Sequence, residues 1–256
     1  MTTSTDRNPQ TVLAHDDGDD DTWPPNGTSS ALDVKRNFRD LGYKHWGFTV
    51  YRCTYGDDGA WEQLMARLYG SVRENLRESG VEELIEFLDI PVFEDAKELD
   101  GASKDLVRRR FNHWIATEAD KERLNADAQP IRIQGIGATP RYSFCLQADE
   151  AALRSVTSTA DVTLDNRDRG GFLNLIDAKW ALPSRDELEE LRREQEIEER
   201  EVEDLCDEGY EAVEGCKMRD VGWMRVNIGS AMPGFYSQVL HGGWEFDYVR
   251  PPGIGG

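Results

Sequence analysis

The sequence has few of the residues that most often hold metals or act as catalytic nucleophiles. Its 256 residues include four cysteines and four histidines. The cysteines form no CxxC pair and no two histidines lie four positions apart, so the common zinc-site and metalloprotease motifs are missing. Cys53 and Cys145 lie in strand-like segments, where a buried structural thiol is the commoner case. We therefore expect no metal and no cofactor.

Long apolar runs are also missing. No stretch approaches the roughly 20 apolar residues that a membrane-spanning helix needs. The amino-terminal segment MTTSTDRNPQ is polar and lacks the hydrophobic core of a secretion signal. A chain with these properties is expected in the cytoplasm or the nucleus, where thiols stay reduced. The sequence predicts no association with membranes.

Basic residues are scarce relative to acidic ones, and the acidic excess is concentrated in two segments. Lys and Arg number 30 against 50 Asp and Glu, which gives a formal net charge of −20. Residues 1–30 carry −5 and residues 183–214 carry −11, which leaves −4 for the other 194 residues. Because nucleic-acid binding depends on cations that neutralise phosphates, this composition disfavours nucleic acid and favours a basic protein as partner.

The two acidic segments are predicted to lie outside the body of the fold. Residues 1–36 are predicted to form a disordered acidic tail, because they have too few apolar side chains to offset the entropy of ordering. Residues 37–256 are predicted to form a single α+β domain with an acidic helical insertion at about 183–214. Ser184 and the glutamate three residues later form a capping box, which predicts a projecting, solvated helix over 185–205.

The rest of the chain alternates between strand and helix patterns. The predicted strands lie at 46–55, 141–147, 171–180, 220–228 and 244–249, and the other predicted helices at 58–80, 103–118 and 233–240. Residues 81–93 fit either a strand or a helix. This order predicts an α+β fold with a mixed or antiparallel sheet and two packed amphipathic helices. A ferredoxin-like core with a carboxyl-terminal extension is one such arrangement.

Aromatic and ionisable residues are unusually dense on the predicted strands. An arginine among aromatic side chains can close a pocket around an anionic or planar ligand, and an accessible histidine can exchange protons near neutral pH. The candidate ligand-binding residues are Arg52, Tyr142, Trp223, Arg225 and His241. In the alternative interpretation the arginines lie at strand ends, or pair with Asp177 or Asp247, and serve only the fold. The pattern identifies no catalytic residue.

Three stretches of the chain resemble a known protein family. They are WGFTVYRCTYGDDGAWEQLMARL at 46–68, FEDAKELDGASKDLVRRRFNHW at 93–114 and WEFDYVRPP at 244–252. These stretches are similar to an uncharacterised family of filamentous ascomycete fungi, and the similarity covers most of residues 40–252. The resemblance implies a fungal, intracellular, single-domain protein and supplies no site residues. The first strand, turn and helix also resemble small cofactor-free enzymes with dimeric α/β-barrel folds, at the level of pattern only.

These observations are compatible with two functions from different classes. The chain is either a non-catalytic protein-interaction module, which presents its acidic helix and tail to a basic partner, or a cofactor-free small-molecule enzyme or ligand carrier. Charge segregation favours the first, because complementary potentials set association rate and partner choice. The second requires the five candidate residues to converge on one pocket. The sequence leaves the ligand, the partner and the oligomeric state open.

Overall fold

The computed structural model of the chain describes residues 29–119, 121–122, 139–157, 171–194 and 206–256. The strands are β1 Thr49–Arg52, β2 Val92–Glu94, β3 Phe144–Ala148, β4 Phe172–Asp177, β5 Trp223–Asn227 and β6 Ile254–Gly255. The α-helices are α1 Ser30–Leu41, α2 Asp58–Glu78, α3 Ala96–Leu99, α4 Lys104–Glu118, α5 Glu150–Thr157, α6 Arg185–Glu194, α7 Ile228–Ser230, α8 Tyr236–Leu240 and α9 Trp244–Asp247. Helices packed on a mixed sheet confirm the predicted α+β class.

The six strands form one sheet in the order β2-β1-β3-β4-β5-β6. Strand β1 pairs in parallel with both β2 and β3, whereas β4 runs antiparallel to β3 and β5, and β6 runs parallel to β5. The ferredoxin-like core is not confirmed. In that core a hairpin joins the second and third strands, whereas here the connection from β2 to β3 contains helix α4.

The two parallel connections cross opposite faces of the sheet. Helix α2 buries Leu64 and Leu68 in the cluster on one face, and helix α4 buries Val107 and Phe111 in the cluster on the other. We call these the first face and the second face. Because the chain leaves β1 over one face and reaches β3 over the other, the strand order reverses between β1 and β3. This reversal creates a crevice at the carboxyl ends of the two strands.

Helix α1 corrects the predicted boundary of the acidic tail. Residues 1–28 lie outside the described part of the chain, but the helix begins at Ser30 and buries Ala31, Val34 and Phe38 in the first-face cluster. The prediction that residues 30–36 belong to a disordered tail is therefore wrong. Apolar residues at helical spacing supply the packing that orders this segment.

The end of the chain also differs from its prediction. Residues 244–249 alternate aromatic and polar side chains like a strand, but Trp244–Asp247 form the short helix α9. Trp244 is buried, where its indole donates to Asp220, whereas Phe246 is 85% exposed. Trp244 and Phe246 therefore do not lie on one face, as they would in a strand. Residues 81–93, left open between strand and helix, contain both a 3₁₀ turn at Glu82–Phe87 and the start of β2.

The acidic insertion is only partly a projecting element. Helix α6 begins at Arg185 as predicted, and the Ser184 amide donates to the Glu187 carboxylate at 2.7 Å. Its predicted extension over 195–205 lies outside the described residues. After this gap the chain returns to the body, where Val213 packs against the second-face cluster. The prediction of a separate appendage is therefore wrong for the end of the insertion, which forms part of the domain surface.

Candidate functional site

A cleft of about 840 Å³ opens at the carboxyl ends of β1 and β3. Cys53 and Thr54, which follow β1, and Asp149, which follows β3, line its inner side. The cleft therefore lies at the point where the strand order reverses. Open sheets with parallel strands bind their ligands in this position.

Two helices begin at the cleft. The Ser103 hydroxyl accepts from the Leu106 amide at 3.3 Å and caps α4. The Asp149 carboxylate accepts from the Ala152 amide at 2.9 Å and caps α5. Because the amino terminus of a helix carries a partial positive charge, both helices add positive potential to the inner side of the cleft.

Lys104 is the principal cation of the cleft. It is the first residue of α4 and is 9% exposed. Its ammonium lies 3.2 Å from an Asp149 oxygen, 3.2 Å from a Glu214 oxygen and 4.2 Å from the centre of a Trp223 ring. A cation is disfavoured at the start of a helix, so these two carboxylates and the indole ring compensate for an unfavourable position. Lys104 is thus held as a charged group facing the cleft.

The Asp149 side chain is held in place by several hydrogen bonds, although it lies at a surface cleft. Besides capping α5, it accepts from the Asn174 amide at 2.7 Å and contacts Lys104. Burial alone would raise its pKa, but these hydrogen bonds and the Lys104 charge hold the pKa of Asp149 below its ordinary value. The group is therefore ionised at neutral pH and orients Lys104.

Within the described residues, no group of three His, Cys, Asp or Glu side chains could hold a metal ion.

Cys53 is a thiol rather than a thiolate. It is buried at the inner side of the cleft and is free, like the other cysteines. Burial raises its pKa to about 11, so it is protonated at neutral pH and a weak nucleophile. This agrees with the structural role expected for Cys53 and Cys145, both of which are buried.

A row of polar side chains continues from the cleft across the second face. Gln147, Asn174 and Arg225 are neighbours on β3, β4 and β5. The Asn174 amide donates to Gln147 at 3.3 Å and to Asp149. The Asn174 carbonyl oxygen and the Arg225 Nε have no hydrogen-bond partner within the described part of the chain. None of these three side chains lines the cleft, so the row supports Asp149 from within the fold.

The opposite wall is rigid and aromatic. Arg108 is buried and donates to the carbonyl oxygens of Asp177 at 2.8 Å and Gly222 at 3.2 Å. Its guanidinium lies 5.1 Å from the centre of a Trp180 ring. The Trp180 ring also packs directly on Gly222, where an added Cβ would come within 2.3 Å of the ring and where φ is +74°. Only glycine fits at that position, so the indole is held in place by backbone and guanidinium.

The five predicted site residues do not converge. Of these five, only Trp223 lines the cleft. Arg52 is directed to the other face of the sheet, where it contacts Trp61 and pairs with Asp58 and Glu94. Arg225 donates to the Pro252 carbonyl oxygen at 3.1 Å. The hypothesis of one pocket around these five residues is therefore wrong. Strand alternation turns Arg52 to the other face, and Tyr142 and His241 lie outside the strands.

His241, another of the five predicted residues, serves helix packing. His241 Nε2 lies 2.8 Å from the Asp33 carboxylate of α1, and the Ser237 hydroxyl donates to the same carboxylate. The hydrogen bond to Asp33 raises the pKa of His241. Because Ser237 contacts the aspartate rather than the histidine, this group is not a nucleophilic triad. It links α1 to α8.

Tyr142 belongs to a buried ionic network at the opposite end of the sheet. Its hydroxyl donates to Glu122 at 2.6 Å. The same carboxylate accepts from Arg141, which is 0% exposed, at 2.7 and 2.9 Å. Arg141 also donates to the carboxylate and carbonyl oxygens of Asp89 at 2.7 Å each and to the Gly47 carbonyl oxygen at 3.0 Å. All five guanidinium donors are therefore used inside the protein.

The principal residues of the cleft, Lys104, Asp149 and Glu214, are not among the five predicted from sequence. Two signals point to them in retrospect. A lysine directly after a helix cap opposes the helix dipole, and an aspartate directly after a buried strand lies where ligands bind in parallel sheets. Glu214 carries no comparable signal apart from the glycine that follows it.

No family model, curated protein or solved structure matches this chain. The similarity to a family of filamentous ascomycete fungi therefore stays a prediction. Among the described residues, no helix is both long enough and apolar enough to cross a membrane. The function must be inferred from the chemistry of the site.

Proposed function

We propose that the protein binds a small organic molecule in the cleft at the carboxyl ends of β1 and β3, as a ligand carrier or as a cofactor-free enzyme. The observation that carries this proposal is a buried lysine facing a cleft of about 840 Å³ at the reversal of strand order. Ligand pockets commonly measure roughly 300–1,000 Å³ and combine apolar walls with a few fixed polar groups.

The lining indicates the shape of the ligand. Trp180, Leu182, Val221 and Trp223 supply apolar and aromatic surface, while Lys104 supplies a charge at the inner end. A molecule with a flat apolar body and one polar group satisfies both parts of this lining. Larger polar ligands would leave the tryptophan surfaces without contacts.

Blocking the cleft tests the proposal. Ala151 is exposed and lines the cleft, so Ala151→Trp should fill it without disturbing the core. Ala116 is exposed on α4 away from the cleft, and Ala116→Trp is the matched control. Ligand-observed NMR with a panel of aromatic fragments should detect binders to the natural chain and to Ala116→Trp that Ala151→Trp loses. A panel without binders, or binders unaffected by Ala151→Trp, would contradict the proposal.

A second candidate function is interaction with a basic protein through helix α6. The described part of this helix exposes Asp186, Glu187, Glu189 and Glu190, while Leu188 packs inward. A solvated row of carboxylates attracts a cationic surface at low ionic strength. Neutralising these four carboxylates as amides should abolish capture of salt-sensitive partners from a lysate. Partners that remain bound to the neutralised variant would exclude α6 as the docking site.

The cellular location proposed here is the cytoplasm or the nucleus. The cysteines of the described part of the chain are free, and two of them are buried. Free cysteines are typical of compartments that keep thiols reduced. Imaging of a fluorescent fusion tests this assignment, and a secreted fusion would overturn it.

A further inference from the structure

We propose that the cleft binds small aromatic monocarboxylates. In the free protein the Glu214 carboxylate contacts the Lys104 ammonium at the position that the carboxylate of the ligand would take. This inference rests on the proposed ligand-binding function and names the class of ligand. It is carried by the conformation of Glu214, by the unequal attachment of the two carboxylates on Lys104 and by the charges around the cleft.

Glu214 is held in a backbone conformation that its residue type disfavours. Val213 and Cys216 exchange two backbone hydrogen bonds of 2.9 Å, which leaves Glu214 and Gly215 as a two-residue hairpin turn. Their φ angles are +50° and +86°, the pattern of a type I′ turn, in which asparagine, aspartate and glycine are preferred. Among the described residues Glu214 is the one non-glycine residue with positive φ. Such an outlier points to a functional constraint on the side chain.

The two carboxylates on Lys104 differ in how firmly they are held. Asp149 caps helix α5 and accepts from Asn174, so it cannot leave without breaking those bonds. The Glu214 side chain is 51% exposed and lies at the tip of the turn. Its carboxylate can therefore rotate into solvent and release one side of the ammonium. Glu214 is the replaceable partner, and Asp149 is the permanent one.

The charges around Lys104 favour an incoming carboxylate over an incoming amine. An amine would have to compete with the tethered Lys104 ammonium for both carboxylates, whereas a carboxylate replaces only Glu214. At the rim, however, Asp100, Asp105 and Glu150 are exposed. Their negative potential disfavours polyanions such as phosphate esters. A single carboxylate on an aromatic body satisfies Lys104 and the tryptophan walls together.

The test compares three indoles that differ in one group: indole-3-acetate, the neutral indole-3-methanol and the cationic tryptamine. Calorimetric titration of the natural chain and of Glu214→Gln should show that the substitution tightens indole-3-acetate binding about tenfold, because the competing internal carboxylate is gone. Binding of indole-3-methanol should change less than twofold, on the order expected for an uncharged ligand. Lys104→Met should remove the preference for indole-3-acetate over indole-3-methanol.

A matched control separates direct competition from general charge. Glu150→Gln removes the same charge from the rim without touching Lys104, so it should change indole-3-acetate binding far less than Glu214→Gln does. Glu214→Asn should also tighten indole-3-acetate binding. Because asparagine suits a positive φ, this variant keeps the turn intact while it removes the carboxylate. The inference would be overturned if Glu150→Gln and Glu214→Gln changed indole-3-acetate binding equally, or if tryptamine bound more tightly than indole-3-acetate. It would also be overturned if Glu214→Gln did not bind indole-3-acetate at millimolar concentration.

The two proposals fail separately. If aromatic fragments bind the natural chain and Ala151→Trp blocks them, the cleft is a ligand site whatever the indoles show. If the fragments remain bound to Ala151→Trp, the cleft is not their site and the proposed function fails. The first outcome, together with an unchanged affinity of Glu214→Gln for indole-3-acetate, removes only the assignment of Glu214.

Discussion

The two ends of the β1–β3 pair each bury a cation, and they surround it differently. At the amino end, Arg141 uses all five of its donors on Glu122, Asp89 and the Gly47 carbonyl oxygen. Its side chain is 0% exposed. A planar guanidinium enclosed by fixed acceptors joins the loops before β1 and β3 to the segment after α4. Arg141 itself therefore has no donor left for a ligand.

At the carboxyl end, Lys104 faces an open cleft and has one firmly held and one displaceable carboxylate, Asp149 and Glu214. An ammonium with rotatable donors can exchange partners, whereas the fixed fork of a guanidinium cannot do so without losing several bonds. Burial of a charge therefore does not by itself mark a functional site. The presence of a replaceable partner beside an accessible space distinguishes the two ends.

The largest expected effect is the loss of the enclosed cation. Arg141→Met should lower the free energy of unfolding by about 3–5 kcal/mol, because Glu122 and Asp89 then lose their buried partner. Lys104→Met should cost only about 1 kcal/mol, since Asp149 keeps its bonds to Ala152 and Asn174. Urea denaturation at neutral pH measures both.

Arg109 is exposed on the same helix as Lys104, and Arg109→Met serves as the control for removal of a surface cation. It should change the free energy of unfolding by less than about 0.5 kcal/mol. Equal losses in Arg141→Met and Lys104→Met would erase the distinction between the two ends.

Removal of a carboxylate partner should also destabilise the Arg141 end more than the Lys104 end, although by smaller amounts. Glu122→Gln leaves the buried Arg141 with Asp89 as its remaining carboxylate partner and should cost about 2 kcal/mol of unfolding free energy. Glu214→Gln removes a half-exposed partner and should cost less than about 1 kcal/mol. Thermal unfolding of the two variants, each with the same chemical change, makes the comparison direct. A larger loss in Glu214→Gln would mean that the turn at 213–216 holds the fold together rather than the ligand site.

The fold was predictable as far as its periodic elements reach. Helix α2 buries Leu64, Leu68, Val72 and Leu76 at the spacing that the sequence shows, and it begins and ends near the predicted positions. Residues 244–249 misled the prediction because alternation of aromatic and polar side chains is compatible with a short helix when no neighbouring strand is available for pairing. Composition likewise concealed α1, because the tail inferred from the acidic residues 1–30 was extended to residue 36, past the first apolar residues of the helix.

The site was less predictable because it depends on topology. Trp223 reaches the cleft, but Arg52 lies one position away from Cys53 and therefore points to the other face. Lys104 and Asp149 are 45 positions apart, and only the packing of α4 and β3 brings them to 3.2 Å. Local pattern assigns residues to elements, whereas the strand order decides which ends of the elements meet.

Acid should weaken the amino end through Glu122. Burial would raise the pKa of Glu122, but the hydrogen bonds from Arg141 and Tyr142 hold that pKa below its ordinary value of 4.5. A carboxylate with a lowered pKa in the folded state contributes stability above its unfolded pKa and loses it as the pH falls through the folded value. The stability advantage of the natural chain over Glu122→Gln should therefore be full above pH 4.5 and shrink below it.

Urea midpoints measured from neutral pH into this acid range provide the test, with Glu62→Gln on the exposed surface of α2 as the control. Asp149 and Asp33 also have lowered pKa values, but both remain in each variant and cancel from the difference. An advantage that stays constant below pH 4.5 would show that folding does not lower the pKa of Glu122.

The smallest expected effect concerns the reactivity of the two cysteine thiols that line the cleft at the Lys104 end. Cys216 is half-buried in the cleft wall, whereas Cys53 is buried and has its pKa raised to about 11 by burial. At pH 8 only about a thousandth of Cys53 is thiolate, which is the reactive form. Iodoacetamide should therefore modify Cys216 before Cys53, which should stay unmodified until the protein unfolds, as peptide mass spectrometry can show. Modification of Cys53 at the rate of Cys216 would mean that the cleft opens down to the end of β1 in solution. The Lys104 end of the sheet would then differ from the Arg141 end in its motion as well as in its structure.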